Sequence, residues 1–396
     1  MRSRPLICVA TLVAAACSDG IGLAQLNTFA SVASGTDFTC GLLGNRAAYC
    51  WGNNTSMQLG TGAANPHDSL PRPVSTQLTF SSIDAGETRA CAITHAGAAY
   101  CWGGSAPIPV ALGGGLTFKA ITLGYSHACG LTPTGAAYCW GDNEFGKLGR
   151  DIAVDSVNTP VPVEGGHTFI AIAAGGFHTC AIAVGGAAYC WGRNWSGTLG
   201  TGTQDTTRIR HPVPELVAGG HQFTAIDGGN AHTCGLTTGG DVYCWGFGGW
   251  GQLGDGARAT TGTPVLVSGG HTFTGLSLGL GHSCGLAVGG RLYCWGYDPA
   301  GQVGAPAPGN CAVGVLGDSV PCASTPIAVS TDLTFRAAAA GGYHTCAIGS
   351  RGSAYCWGGN GYGQVGNGSA GGIVRAVARV PDPTRPLGVP WFRPRP

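Results

Sequence analysis

The chain has 396 residues, of which 72 are Gly and only 10% are charged, and its formal net charge is +1. Disorder needs high net charge and few apolar residues, whereas 44% of this chain is hydrophobic, so composition excludes that class. A near-neutral chain with no Lys/Arg run also lacks the electrostatic footprint of a DNA or RNA binder, and no nucleic-acid partner is expected.

The N-terminus reads as an export signal. Arg2 and Arg4 precede an apolar run over 6–16 that is too short to span a bilayer. The run ends in Ala14-Ala15-Ala16-Cys17, a pattern that makes Cys17 the expected lipidated residue of a bacterial lipoprotein. Residues 1–16 are then the signal and 17–25 a linker. Two alternatives stay open: a cut after Ala24 that releases a soluble protein, and an ordinary buried segment. No other stretch is long and apolar enough for a transmembrane helix, so membrane contact is expected only through the lipid.

From residue 26 to 380 the chain repeats. Tyr-Cys-Trp-Gly occurs seven times, each with a second cysteine ten positions earlier. The expected disulfide pairs are Cys40 with Cys50, Cys91 with Cys101, Cys129 with Cys139, Cys180 with Cys190, Cys234 with Cys244, Cys284 with Cys294 and Cys346 with Cys356. Of 18 cysteines, Cys8 falls in the signal and Cys17 takes the lipid. Cys311 and Cys322 make an eighth pair. An even, regularly spaced set reads as a disulfide framework, which persists only in oxidising compartments. Zinc would favour closer ligand pairs such as Cys-x-x-Cys, and none occurs.

Residues 168–217 show one repeat: a strand over 168–175, a turn and second strand over 176–183, the turn Val184-Gly185-Gly186, a third strand over 187–192, a Gly-rich loop over 194–202 and a fourth strand from Pro212. If Cys180 faces Cys190, then Ala181 faces Tyr189 and Ile182 faces Ala188, leaving a three-residue hairpin loop. Opposed Cα atoms at a non-hydrogen-bonded site lie about 4.5 Å apart, within disulfide reach. Four short strands repeated seven times predict an all-β fold, a seven-bladed β-propeller of four-stranded blades with one hairpin disulfide per blade. The first strand of repeat one, 29–35, and the last strand of repeat seven, 374–380, are expected to pair and close the ring. An insertion over 298–326, carrying Cys311 and Cys322, breaks the symmetry as a long loop. The stretches 151–159 and 201–211 are smaller departures. The tail 381–396 is Pro-rich.

These motifs together, Phe-x-x-[Ile/Leu/Val]-x-x-Gly-x-x-His-[Thr/Ser], then Gly-x-x-Tyr-x-Trp-Gly, then Gly-Gln-[Leu/Val]-Gly and Pro-Val, resemble the regulator of chromosome condensation (RCC1) repeat. The resemblance covers about 26–380. It implies a seven-bladed propeller. Repeat two departs from the pattern by lacking the Gly-Gln-Leu-Gly loop, and repeat one has Met57 where the loop usually has Gly.

His127, His178, His232, His282 and His344 share one repeat position, held by Phe38 and Arg89 in repeats one and two. Repetition in nearly every unit points to structure, each His tying its turn to a neighbouring strand, rather than to a metal site. The aromatics outside the repeat positions, Phe145, Trp195, Trp250, Tyr297 and Tyr362, sit near the Gly-rich loops and are the candidate binding residues, since aromatics concentrate at interaction hot spots. No paired-carboxylate pattern, nucleophile elbow, phosphate loop or His-Glu-x-x-His motif occurs. The expectation is therefore a non-enzymatic monomer with no cofactor: an exported, rigid protein-binding scaffold of the bacterial cell envelope. The family resemblance adds inhibition of an extracellular enzyme as a subtype. By the same resemblance, guanyl-nucleotide exchange is the alternative; a carbohydrate-binding or hydrolytic envelope protein is another.

Overall fold

The computed structural model describes residues 28–313 and 318–384. The expected signal, the linker and Cys17 lie outside the described residues, as does the tail beyond 384. Among the described residues no helix is long and apolar enough to cross a membrane.

Seven antiparallel sheets follow one another along the chain. They begin at Phe29, Phe80, Ala120, Phe169, Phe223, Phe273 and Phe335 and end with the strand closing at Arg379. The expected seven-bladed propeller is thus the observed fold. Blade four shows how the sequence builds a unit. Its strands are Phe169–Ala174, His178–Ala183, Ala188–Gly192 and His211–Leu216. Cys180 pairs with Cys190, Ala181 with Tyr189 and Ile182 with Ala188, as spacing predicted. The Cys180 and Cys190 Cα atoms lie 4.1 Å apart across the disulfide.

The other six hairpins repeat this bond in the expected pairing. Cys40 is joined to Cys50, Cys91 to Cys101 and Cys129 to Cys139. Cys234 is joined to Cys244, Cys284 to Cys294 and Cys346 to Cys356. In each, the two cysteines stand directly opposite on the second and third strands. A two-residue strand period around a short turn brings any pair at this spacing face to face.

Each third strand shifts register against the fourth between its Cys and the Gly two residues on, as between Cys190 and Gly192. The shift lies at the repeat Trp, and such bulges re-aim a side chain. Trp51, Trp191, Trp245, Trp295 and Trp357 are fully buried in the seams. Each donates its indole N–H to a carbonyl in the loop of the preceding blade, such as Trp51 to Gln364 O at 2.9 Å and Trp191 to Lys147 O at 3.0 Å. That loop must come very close. A Cβ on Gly366 would lie 2.5 Å from Trp51 Nε1, and its φ is +73°. Glycine is required there on both counts.

Two expectations need correction. Residues 29–35 and 374–380 do not pair. Phe29–Ser34 forms its strand ladder with Phe38–Leu43 of its own blade, and Ile373–Arg379 forms its ladder with Ala354–Gly359. The first strand of a blade borders the central channel and the fourth lies at the rim, so strands from opposite chain ends cannot meet. The ring closes by packing of complete blades, with Ser34 Oγ donating to Ala339 O at 3.1 Å and Phe29 N–H to Gly352 O at 2.9 Å. Nor is 298–326 simply a loop. Gly309–Val313 and Asp318–Ala328 form a hairpin that adds a fifth strand to blade six. A disulfide between Cys311 and Cys322 pins it, so blade six carries two disulfides and departs from the four-stranded plan. Segment 298–326 supplies most of blade six's outer edge, because a chain already leaving the sheet edge finds unpaired N–H and C=O groups there.

Candidate protein-binding face

The five repeat histidines hold the seams. His127, His178, His232, His282 and His344 place Nε2 within 2.8–2.9 Å of the hydroxyls of Thr179, Thr233, Ser283, Thr345 and Thr39, each on the next blade. Each hydroxyl donates its proton to a loop carbonyl, as Thr39 does to Gln364 O and Thr179 to Lys147 O. It must therefore accept from Nε2–H, which leaves the imidazole neutral with Nδ1 bare. Burial pushes His178 down to about 4 and His232, His282 and His344 down to about 3. His127 is held well below its ordinary value by burial and then by the charge of Lys147. Phe38 faces a seam where blade two has Ala90 in place of the hydroxyl, and Arg89 one where blade three has Ala128. Donor and acceptor are lost together. These five histidines tie each blade to the next.

Function must come from what breaks the repeat. The turns between first and second strands and the loops after third strands open at the same end of every blade, because Phe38 pairs with Gly52 and its equivalents do likewise. All five candidate aromatics sit in or beside those loops, on this one face.

Two clusters form there. In the first, Phe145 meets Phe177 edge-on at 6.3 Å, and Phe177 meets Tyr125 at 5.5 Å. The Arg193 guanidinium lies 3.7 Å from the centre of the Trp195 ring, 5.1 Å from Phe177 and 5.4 Å from Phe145. Phe145 itself is buried and sits at φ 65°, a left-handed conformation uncommon for a bulky residue. Trp195 is 43% exposed, and its indole N–H donates to Thr207 O at 3.0 Å. Arg208 pairs with Glu144 at 2.7 Å. Lys147, fully buried, pairs with Asp142 at 2.8 Å and donates to Ser126 Oγ at 2.8 Å. Burial raises Asp142, but the bonds from Lys147 outweigh it and hold the carboxyl below its usual range. The departures at 151–159 and 201–211 flank this cluster: Arg210 donates to Ile152 O.

In the second cluster two candidates come together, Trp250 against Tyr297 at 4.7 Å. Phe247 packs on Trp250 at 5.1 Å, and Tyr343 lies 6.2 Å from Tyr297. Tyr362 stands 41% exposed in the equivalent loop of blade seven. Sequence reading missed Tyr125, Phe177, Arg193, Phe247 and Tyr343. Phe177 and Tyr343 each directly precede a repeat His, a place where other repeats carry Asp37, Ala231 or Gly281, so their variability was the available signal. The face surrounds the mouth of the central channel, which is walled by small residues of the first strands and by Asp84 and Asp227.

The fold and this face define a ring of tandem blades whose symmetric parts are structural and whose irregular loops crowd one surface. The regulator of chromosome condensation (RCC1) repeat matches residues 134–182, 185–236, 239–286 and 289–348, and a second version of the same repeat matches six segments between 29 and 364. The chain belongs to this family. It is 29% identical over 236 residues to the ultraviolet-B receptor UVR8 of Arabidopsis thaliana, covering 57% of this chain and 43% of the receptor. It is 28% identical over 255 residues to the E3 ubiquitin-protein ligase HERC2 of Mus musculus, covering 57% of this chain but 5% of the ligase. The matched region thus spans less than half of either relative. Among solved structures, yeast RCC1 (Prp20) bound to Kap60 superposes with a TM-score of 0.76 at 20% identity, over 91% of this chain and 86% of that one. Human WBSCR16 superposes with a TM-score of 0.70 at 20% identity, over 81% and 87%. At these identities the superpositions speak for the fold.

Proposed function

We propose that this protein is an exported, non-catalytic scaffold that binds a protein partner through the face bearing Phe145, Trp195, Trp250, Tyr297 and Tyr362. The observation that carries the reading is the gathering of these non-repeat aromatics on one surface, with Trp195 and Tyr362 presented to solvent. Aromatic anchors on a rigid frame lose little conformational entropy on binding, and here disulfide-locked blades hold them. Eight disulfides fit an oxidising compartment, which supports export. Placement in the cell envelope, by lipid on Cys17, and inhibition of an extracellular enzyme are the finer forms of the same proposal. The protein acts as a single ring and takes its partner on one side. Proteins that bind a relative of this fold, as Kap60 binds Prp20, illustrate what such a ring can hold.

The test is capture from the envelope fraction of the native host by the immobilised ring, with the double variant Trp195→Ala, Tyr362→Ala as comparison. One discrete partner retained by the native ring and lost by the double variant is the expected result. A partner retained equally by both, or binding only to the opposite face by cross-link mapping, sinks the reading.

A further inference from the structure

One seam on this face is left open. Seven residues after the repeat Trp, the loop after the third strand carries Gln58, Gln252, Gln302 or Gln364 in blades one, five, six and seven, all buried. Each Gln accepts a loop N–H on Oε1, from Ser56, Trp250, Ala300 or Tyr362 at 2.8–3.0 Å. Gln364 also reaches over the seam, its Nε2 lying 3.4 Å from Asp37 Oδ1 on blade one. In blade three Lys147 takes the position and Phe177 fills the space beside it. Blade four has Thr198, whose hydroxyl turns back to Arg193 O. Across that seam blade five has Ala231 where blade one has Asp37. Both sides are shortened, and nothing replaces them. At the next seam Trp250 occupies the equivalent room, 2.8 Å from where a Cβ on Gly281 would be.

The result is a cleft of about 160 Å³ bounded by Phe177, Arg193, Trp195, Thr198 and Asn230. Two polar atoms in it, Arg193 Nε and Asn230 Oδ1, are shielded from solvent and have no hydrogen-bond partner. Such groups are rare because leaving them unpaired is costly. Nearby Lys147 and Arg208 have carboxylates. Arg193 stacks on aromatic rings and makes no direct ion pair; burial followed by the charge of Arg208 lowers its proton affinity, and the Glu144 carboxylate offsets this only in part. Its Nε–H is a donor with no acceptor of its own.

We infer that this cleft takes an acidic residue of the partner's chain. The side-chain carboxylate accepts from Arg193 Nε–H, and a peptide N–H of the same segment donates to Asn230 Oδ1. Phe177 and Trp195 cover the aliphatic stem. A charge-assisted bond to a planar guanidinium selects carboxylate over a neutral amide of the same shape. The inference rests on reading this face as the recognition surface and adds the chemistry it selects.

Full chain labelled with ¹⁵N-arginine would be titrated with Ac-Gly-Glu-Gly-NH₂, Ac-Gly-Gln-Gly-NH₂ and sodium acetate. The Arg193 Nε–H resonance is assigned by its loss in Arg193→Lys. The Glu peptide should shift it with a Kd on the order of 1–10 mM, as one isolated subsite would give. The Gln peptide and acetate should bind at least tenfold more weakly. Thr198→Gln restores the residue that four other blades carry, so the ring should fold unchanged while the Glu peptide loses at least tenfold in affinity. Equal shifts from Glu and Gln peptides, acetate as effective as the peptide, or unchanged affinity in Thr198→Gln would overturn the inference. Failure here with partner capture still lost in the Trp195→Ala, Tyr362→Ala variant would remove the cleft and leave the face. Peptide binding with no aromatic-dependent capture would do the reverse.

Discussion

His344 Nε2 and Thr39 Oγ1 lie 2.8 Å apart although 305 residues separate them, and this contact joins blade seven to blade one. It is the fifth copy of a clamp whose four other copies join sequential blades. Blades one and two do without it, using Phe38 and Ala90. His344→Phe alone should cost about 1–3 kcal/mol, because Thr39 loses its donor in a buried seam. Combining His344→Phe with Thr39→Ala should recover much of that. A double-mutant cycle by denaturant unfolding should give a coupling of about 1 kcal/mol or more. Additive losses would show that the clamp carries no coupling.

The same histidines predict how stability depends on pH. Their folded values, about 3 to 4, lie below the ordinary value of 6.5, so the unfolded chain takes up protons first. Their contribution is full above pH 6.5 and is lost as pH falls from there toward 3. Four carboxyls act in the opposite sense; one of them, Asp37, is raised by burial and then by the charge of Glu87. Burial raises Asp84 to about 7, Asp227 to about 6 and Asp298 to about 6, from 3.8. The folded state takes up these protons first, so their cost is greatest above pH 7 and is relieved as pH falls toward 4. Each net proton changes the slope by about 1.4 kcal/mol per pH unit. Five histidines outnumber the four carboxyls, so stability should fall with acid below about pH 6. The Asp84→Asn, Asp227→Asn variant should raise the unfolding midpoint at about pH 8 and steepen the loss in acid. A midpoint unchanged at that pH would contradict this.

Reduction should be ordered. Of the cysteines in the eight disulfides, Cys101 is the one that is not fully buried. Blade two lacks the long loop after its third strand, which passes almost directly from Ala99–Gly103 into Ala106–Ala111. With limiting reductant under native conditions, the bond between Cys91 and Cys101 should open first, seen by alkylation and peptide mass mapping. The enclosed pairs, such as Cys40 with Cys50, Cys129 with Cys139, Cys234 with Cys244 and Cys284 with Cys294, should follow later, since their sulfurs are sealed in the seams. Removing a buried pair, with Cys346→Ala and Cys356→Ala together, should cost roughly 2–3 kcal/mol from the entropy of so short a loop.

Gly366→Ala should be among the most damaging single changes. The added Cβ meets Trp51 at 2.5 Å on a backbone at φ +73°. A loss of about 3 kcal/mol or more is expected from overlap and strain together. Gly113→Ala, with nothing within 4 Å and no positive φ, should be near neutral. Similar unfolding midpoints for the two would refute the account of the seam.

Much of the fold was legible because it is written seven times. The pairing of Cys180 with Cys190 follows from a spacing that a two-residue strand period converts directly into register. The histidine position was legible as structural, since it recurs. Its partner was not, because Thr179 or Thr39 belongs to another blade and no local rule links them to His127 or His344. The same limit hid the fifth strand of blade six, where Cys311 and Cys322 announced a tether but not the sheet edge receiving it. The candidate aromatics were found as exceptions to the repeat. Arg193 and Asn230 were passed over, being ordinary residues in sequence.

By itself, the sequence determined the repeat unit, its hairpin disulfides and the count of blades, because these depend on contacts within a single hairpin. Only the tertiary structure decided how the ring closes, which loops share a face and where a seam is left unfilled. Those depend on side chains brought together from blades far apart in the chain, and Thr198 becomes informative only opposite Ala231.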